Sequence, residues 1–248
     1  NLPEKVAIQL NDTHPTLAIP ELMRILLDEC GYTWEKAFDI CRRTFAYTNH
    51  TVMSEALEKW NIDIFKMTLP RIFTIVQELD RRCREDLFQA FPGDVGKVDY
   101  MAILGDNQVR MANICCYVCH SINGVSKLHS EIIKDSVFHD YYLFKPQAFK
   151  NVTNGIAYRR WLLASNPGLT NLLEETIGDG FKTDASELKK FEKFSDDASV
   201  LEKLAQVKHE NKVLFANYLQ KSTGQVIDPN SIFDCQVKRM HEYKRQHL

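Results

Sequence analysis

The 248-residue sequence predicts an α/β protein that is largely helical. Three observations carry this reading. A short apolar run, residues 6–10, ends in Asn11-Asp12-Thr13-His14-Pro15. Long stretches then repeat apolar residues every three or four positions. Near the end a strand-like run, residues 231–237, gives way to a basic, helix-like one.

Taken in order, residues 6–10 read as a strand whose closing turn is built from side chains that bond their own backbone, which exposes Asp12 and His14 together. Helices are expected at 21–30, at 34–47 behind a Thr33 cap, and at 70–91. The last starts on Pro70, a favoured first helical residue, and carries the apolar stripe Ile72, Val76, Leu79, Cys83, Leu87 and Phe91. Pro92-Gly93-Asp94 stops it. Residues 111–135 read as mostly helix, interrupted at Asn123-Gly124. Residues 151–155 read as a boundary loop. Helices at 167–177, 185–194 and 198–220 follow, the last leading to Gly224.

A net charge of −2 excludes a general polyanion binder, so nucleic acid is not an expected partner. With no run of 18 apolar residues and no charged-then-apolar leader, neither a membrane span nor a secretory signal is expected, and the cytoplasm is the expected location. The seven cysteines then read as reduced thiols. Cys116-Tyr117-Val118-Cys119-His120 has the spacing of covalent haem attachment. It lies, however, in a run whose Val109, Ala112, Cys116 and Cys119 repeat like one buried helix face, so structural cysteines are expected and no metal site.

The segment from Val237 to Leu248 sets Lys238, Arg239, Lys244 and Arg245 against one carboxylate, Glu242. By itself this is also what a solvated basic helix start looks like. At a strand-to-helix junction, the strand's carboxyl end and the free N–H groups of the next helix face one crevice, and such a segment suits a phosphate.

Four separated stretches resemble, in order and from end to end, the α-glucan (glycogen, starch or maltodextrin) phosphorylases. They are Lys5-Val-Ala-Ile-Gln-Leu-Asn-Asp-Thr-His-Pro15; Ala46-Tyr-Thr-Asn-His-Thr-Val52 with Glu55-Ala-Leu-Glu-Lys-Trp60; Val152-Thr-Asn-Gly-Ile156 with Arg159-Arg-Trp161; and the basic segment after Val237. The resemblance implies a two-lobed, Rossmann-like glycosyltransferase architecture of GT-B type. Residues 1–150 would be the later part of the amino-terminal lobe and 151–248 the start of the cofactor-binding lobe. It also implies a piece of a longer, allosteric and dimeric enzyme, with the lysine that holds pyridoxal phosphate beyond residue 248.

The implied reaction is phosphorolysis of a terminal α-1,4 glucosidic bond by orthophosphate, giving glucose 1-phosphate, with the cofactor's phosphate in place of the usual carboxylate pair. Carried over residue by residue, Arg239 and Lys244 bind the substrate phosphate and Lys238 sits beside the cofactor phosphate. His50 bonds a hydroxymethyl oxygen of the glucosyl unit, and Asn154 bonds sugar hydroxyls. Asp12 and His14 line the same crevice; Trp161 packs near the cofactor, although in the apolar run Trp161-Leu-Leu-Ala164 it reads equally as core; and Glu55 sits at the rim, where a solvated helix start also accounts for it. Two departures stand out. Ala157-Tyr158 replaces the family's common Thr-Pro, and residues 103–109 form a shorter stretch than in animal members, closer to bacterial maltodextrin phosphorylases, which implies weak glycogen tethering. Two other classes fit parts of the chain: a two-lobed transferase using a sugar nucleotide, and a non-catalytic helical interaction module.

Overall fold

The computed structural model describes residues 1–53, 56–235 and 237. The chain divides into two compact units, Asn1–Gly155 and Ile156–Leu248.

The first unit is built on a parallel four-stranded sheet. Its strands are β1 (Ile8–Asn11), β2 (Phe45–Thr48), β6 (Ser121–Gly124) and β7 (Phe149–Asn151), in that spatial order. Between them in sequence fall the short strands β3 (Lys59–Asn61), β4 (Leu104–Gly105) and β5 (Gln108–Arg110), which form a separate antiparallel ribbon, β3-β5-β4. Asp106 and Asn107 connect β4 to β5 with φ of 52° and 56°. Two consecutive left-handed residues are what a tight type I′ hairpin requires, and Asp and Asn tolerate that conformation best among non-glycine residues.

Parallel strands need long crossovers, and here helices supply them. Between β1 and β2 the chain forms the helix Ala18–Arg24, which runs on as a π-helical turn Ile25–Glu29, and then the helix Trp34–Thr44. Thr33 caps the latter by accepting from Lys36 N at 3.4 Å. The sequence suggests that this helix continues to residue 47, but it ends at Thr44 and the chain turns directly into β2. Phe45, Ala46 and Tyr47 are all buried, so the alternation that marks a half-exposed strand is missing, and an apolar run of this kind has no periodicity of its own. The expected helix over 111–135 is instead Met111–Val118, β6, Lys127–Ile132 and the π-helical turn Ile133–Val137; the break expected at Asn123-Gly124 is the end of β6, whose Ser-Ile-Asn-Gly sequence carries no strand pattern.

The amphipathic helix Pro70–Ala90 closes the core. Ile72, Val76, Leu79, Cys83 and Leu87 are buried along one face, each large aliphatic contributing about 1.5–3 kcal/mol over an exposed position. Cys116 and Cys119 are fully buried in the same core, and burial pushes both thiols well above their ordinary value. Lys145 closes the end of the Met111–Val118 helix. Its ammonium donates to the carbonyls of Cys116, Tyr117 and Cys119 at 3.1, 2.9 and 2.8 Å, satisfying oxygens that the helix end leaves without partners. Burial lowers its pKa.

The elements formed by the described residues of the second unit are all helical. Pro167–Ile177, the 3₁₀ segment Ala185–Phe194 and Ala198–Thr223 follow in order. Asp197 caps the last of these through Ser199 N and Val200 N, and Gly224 ends it in the left-handed conformation at φ 76°. Among the described residues of the strand expected at 231–237, none is in a strand. Ser231 closes a turn on Asp228, its hydroxyl donating to Asp228 O at 2.7 Å, and Ile232 and Val237 are exposed. A strand needs a neighbour for its backbone, and the described residues of this unit include no other strand.

Candidate functional site

The register of the parallel sheet aligns its carboxyl ends. Asn11 pairs with Thr48, Thr48 with Asn123, and Gly124 with Asn151, so the turns after β1, β2, β6 and β7 all open on one edge. Ligands of open α/β sheets bind at that edge. Polar side chains line it. Gln9 Nε2 donates to Thr48 Oγ1 at 2.8 Å, and Thr48 Oγ1 donates to Asn123 Oδ1 at 2.7 Å. The backbone ladder extends one residue past each strand, with Asp12 N bonding Thr48 O at 2.9 Å and Asn49 N bonding Asn123 O at 3.0 Å.

Asp12 takes the turn at φ 65°, and its Oδ1 accepts from Thr13 N at 2.7 Å. Together with His14 it lines a shallow concavity whose other wall is Ala56, Leu57, Glu58 and Lys59. Glu58 is held there from two sides: Thr13 Oγ1 donates to Oε2 at 3.0 Å and Trp60 Nε1 donates to Oε1 at 2.9 Å. Glu58 lies within one of the motifs quoted above but was not singled out, because nothing in the letters shows that Thr13 and Trp60 converge on it.

His50 is exposed just past β2, and its Nε2 hydrogen-bonds Asn11 Oδ1. With that carboxamide oxygen as acceptor, Nε2 carries the proton. Behind it Asn49 is completely buried; its Nδ2 donates to Tyr47 OH at 3.1 Å and its Oδ1 accepts from Thr51 N at 3.1 Å, fixing the loop that carries His50.

Asn154, at the other end of the sheet order, is anchored by its backbone N–H to Val125 O at 2.9 Å, and its side chain is exposed. No atom lies within 4 Å of where a Cβ on Gly155 would stand, so this backbone is open to close approach. Three strand spacings separate β1 from β7, about 14 Å, the scale of an oligosaccharide rather than a single ion.

The structure therefore places Asp12, His14, His50 and Asn154 on the first unit's carboxyl edge. Trp161 belongs to the second unit, in the π-helical segment Arg159–Ala164, and is 71% exposed. The sequence left it between a core and a ligand-facing role; it is not a core residue of its unit. Lys238, Arg239 and Lys244 lie outside the described residues, as does Glu55. Among the described residues no cluster of three or more His, Cys, Asp or Glu side chains is arranged to hold a metal ion. No helix of the described residues is long and apolar enough to cross a membrane.

The family model described as carbohydrate phosphorylase matches residues 1–248. The chain is 50% identical over 249 aligned residues to the brain form of glycogen phosphorylase from Bos taurus, and 49% identical to the muscle form from Homo sapiens and the brain form from Mus musculus. Each alignment covers 99% of this chain and 30% of the relative, so the chain spans under a third of the length of the curated relatives it matches.

Proposed function

The chain belongs to the carbohydrate phosphorylase family, and from that premise we propose that it forms part of an enzyme that phosphorolyses terminal α-1,4 glucosidic bonds of glycogen or maltodextrin with orthophosphate, releasing glucose 1-phosphate. The observation that carries the reading is the shared carboxyl edge on which Asp12, His50 and Asn154 stand, each on a turn held by backbone hydrogen bonds. Residues 1–150 would be the later part of an amino-terminal lobe and 151–248 the start of the cofactor-binding lobe; the division of the chain at Gly155 supports this.

In this reading the Nδ1 side of His50 faces the glucosyl hydroxymethyl group while Asn11 holds Nε2. The Asn154 carboxamide, with both donor and acceptor atoms, bonds sugar hydroxyls. Arg239 and Lys244 hold orthophosphate, the first as a planar two-pronged donor and the second as a compact charge. Pyridoxal phosphate fits what the chain offers: Trp161 presents its indole at the surface of its unit, and Lys238 would lie beside the cofactor's phosphate. That phosphate, when bound, serves as the acid and base next to the substrate phosphate. Two like unit charges 4 Å apart at an effective dielectric near 20 repel by about 4 kcal/mol, so fixed cations here offset a real cost.

Homodimers and a cytoplasmic location belong to the same proposal.

The deciding experiment incubates the full-length enzyme carrying this chain with glycogen or maltodextrin. Glucose 1-phosphate released only when orthophosphate is added supports the reading. Transfer dependent on a sugar nucleotide points to the rival transferase, and neither activity points to an interaction module.

A further inference from the structure

We infer that His129, which no motif above singles out, is a positioning residue that couples the loop bearing His50 to the turn bearing Asn154; the inference rests on the phosphorolytic reading of those two residues. Val125, immediately after β6, is the junction. Its N–H donates to His129 Nδ1 at 3.1 Å, while its carbonyl accepts from Asn154 N at 2.9 Å. The other ring nitrogen of His129, Nε2, lies 3.4 Å from the carbonyl oxygen of Thr51, the neighbour of His50. An amide N–H can only donate and a carbonyl can only accept, so both ring atoms have assigned roles: Nδ1 is bare and Nε2 carries the proton. One neutral tautomer thus spans two loops that the sheet itself does not join beyond the strand ends.

The imidazole is well fixed for this task. His129 sits in the first turn of Lys127–Ile132, where its own N–H donates to the capping Ser126 Oγ at 3.1 Å. The next residue is pressed on the end of β6: a Cβ on Gly124 would stand 2.8 Å from Ser130 Cα and 2.9 Å from Ser130 N. Ser130 Oγ in turn donates to Asn151 Oδ1 at 2.8 Å, tying the same helix to the end of β7. The helix is thus seated on the strands that flank Asn154, and the ring reaches from it to the β2 loop.

Each half of the bridge can be cut separately. In His129→Asn the carboxamide oxygen replaces Nδ1 as acceptor for Val125 N–H but does not reach Thr51 O. In His129→Gln the amide nitrogen stands near the position of Nε2 and the acceptor for Val125 is lost. The test uses steady-state kinetics of the full-length enzyme with glucan and orthophosphate varied separately, together with melting temperature.

The expected result is a loss of kcat/KM for glucan of about 10- to 100-fold in His129→Ala, with the KM for orthophosphate within about twofold of wild type. The loss in His129→Asn should shrink when combined with His50→Ala, and that in His129→Gln when combined with Asn154→Ala, because each removes the residue being positioned. Strict additivity in both pairs, or losses in all three variants that follow melting temperature alone, overturns the inference. Should His129→Ala not fold, the Asn and Gln variants carry the same comparison. A wild-type enzyme without phosphate-dependent activity sinks the underlying reading, whereas an active wild type with unaffected variants sinks this inference alone.

Discussion

The Nε2 of His50 and the carboxamide oxygen of Asn11 meet across the carboxyl ends of two adjacent parallel strands, so the residue proposed to face the sugar is oriented by the strand next door. Asn11→Ala removes that partner without touching the core, because Asn11 is itself exposed. The expected effect is a fall in glucosyl transfer of about tenfold, the order of one lost orienting hydrogen bond, with melting temperature unchanged. Rates at saturating glucan beside a thermal melt check it; full activity in Asn11→Ala would show that the ring needs no such partner.

Phosphate handling separates from sugar handling. Arg239→Ala or Lys244→Ala in the full-length enzyme should weaken use of orthophosphate by two to three orders of magnitude, about 3 kcal/mol for one charge-assisted contact at a developing charge, while oligosaccharide binding is retained. Initial rates with orthophosphate varied report this directly. An unchanged phosphate dependence would remove both residues from the site.

Gly124 should tolerate no side chain. The atoms its Cβ would strike include the backbone of Ser130, which cannot rotate away, so Gly124→Ala is expected to cost at least about 1–3 kcal/mol of stability. Ser130→Ala, which trims only the hydroxyl, should not rescue it. Chemical denaturation of the single and double variants measures both statements.

Acid should weaken the Pro70–Ala90 helix first along one exposed face. Hydrogen bonding from Arg81, joined by Arg82, holds the Glu78 carboxyl at about 2, below its ordinary range. The folded-state value is depressed, so this contribution is fully present above the unfolded value of about 4.3 and disappears as pH falls from there through about 2. Urea titrations should show the stability gap between wild type and Glu78→Gln closing across that window. A gap that persists at the acid end would mean the ion pairs contribute little.

The sequence made some of this legible and hid the rest for physical reasons. The helix at Pro70–Ala90 could be read in advance because its buried positions recur at the helical period on a half-exposed element. Strands β2 and β6 could not: the buried Phe45-Ala46-Tyr47 run of β2 shows no alternation, and the Ser-Ile-Asn-Gly of β6 reads as a turn rather than a strand. The run at 231–237 failed in the opposite direction: its composition suits a strand, but pairing is a property of a second segment, and none among the described residues of that unit supplies it. Within the site, Asp12 was visible because its turn residues advertise themselves, whereas His50 and Asn154 were named through the resemblance of the motifs that contain them. Their partners were not. That Asn11 reaches His50, or that His129 touches Thr51, depends on register and crossovers spanning 39 and 78 residues, which local patterns do not encode.

Lys145 has a practical use outside catalysis. An amine-reactive reagent needs the nitrogen's lone pair, yet this ammonium donates to three carbonyls at the end of a core helix. Surface lysines should label at once, and Lys145 only when that helix end opens, so its rate of modification reads the frequency of core breathing without any engineered probe.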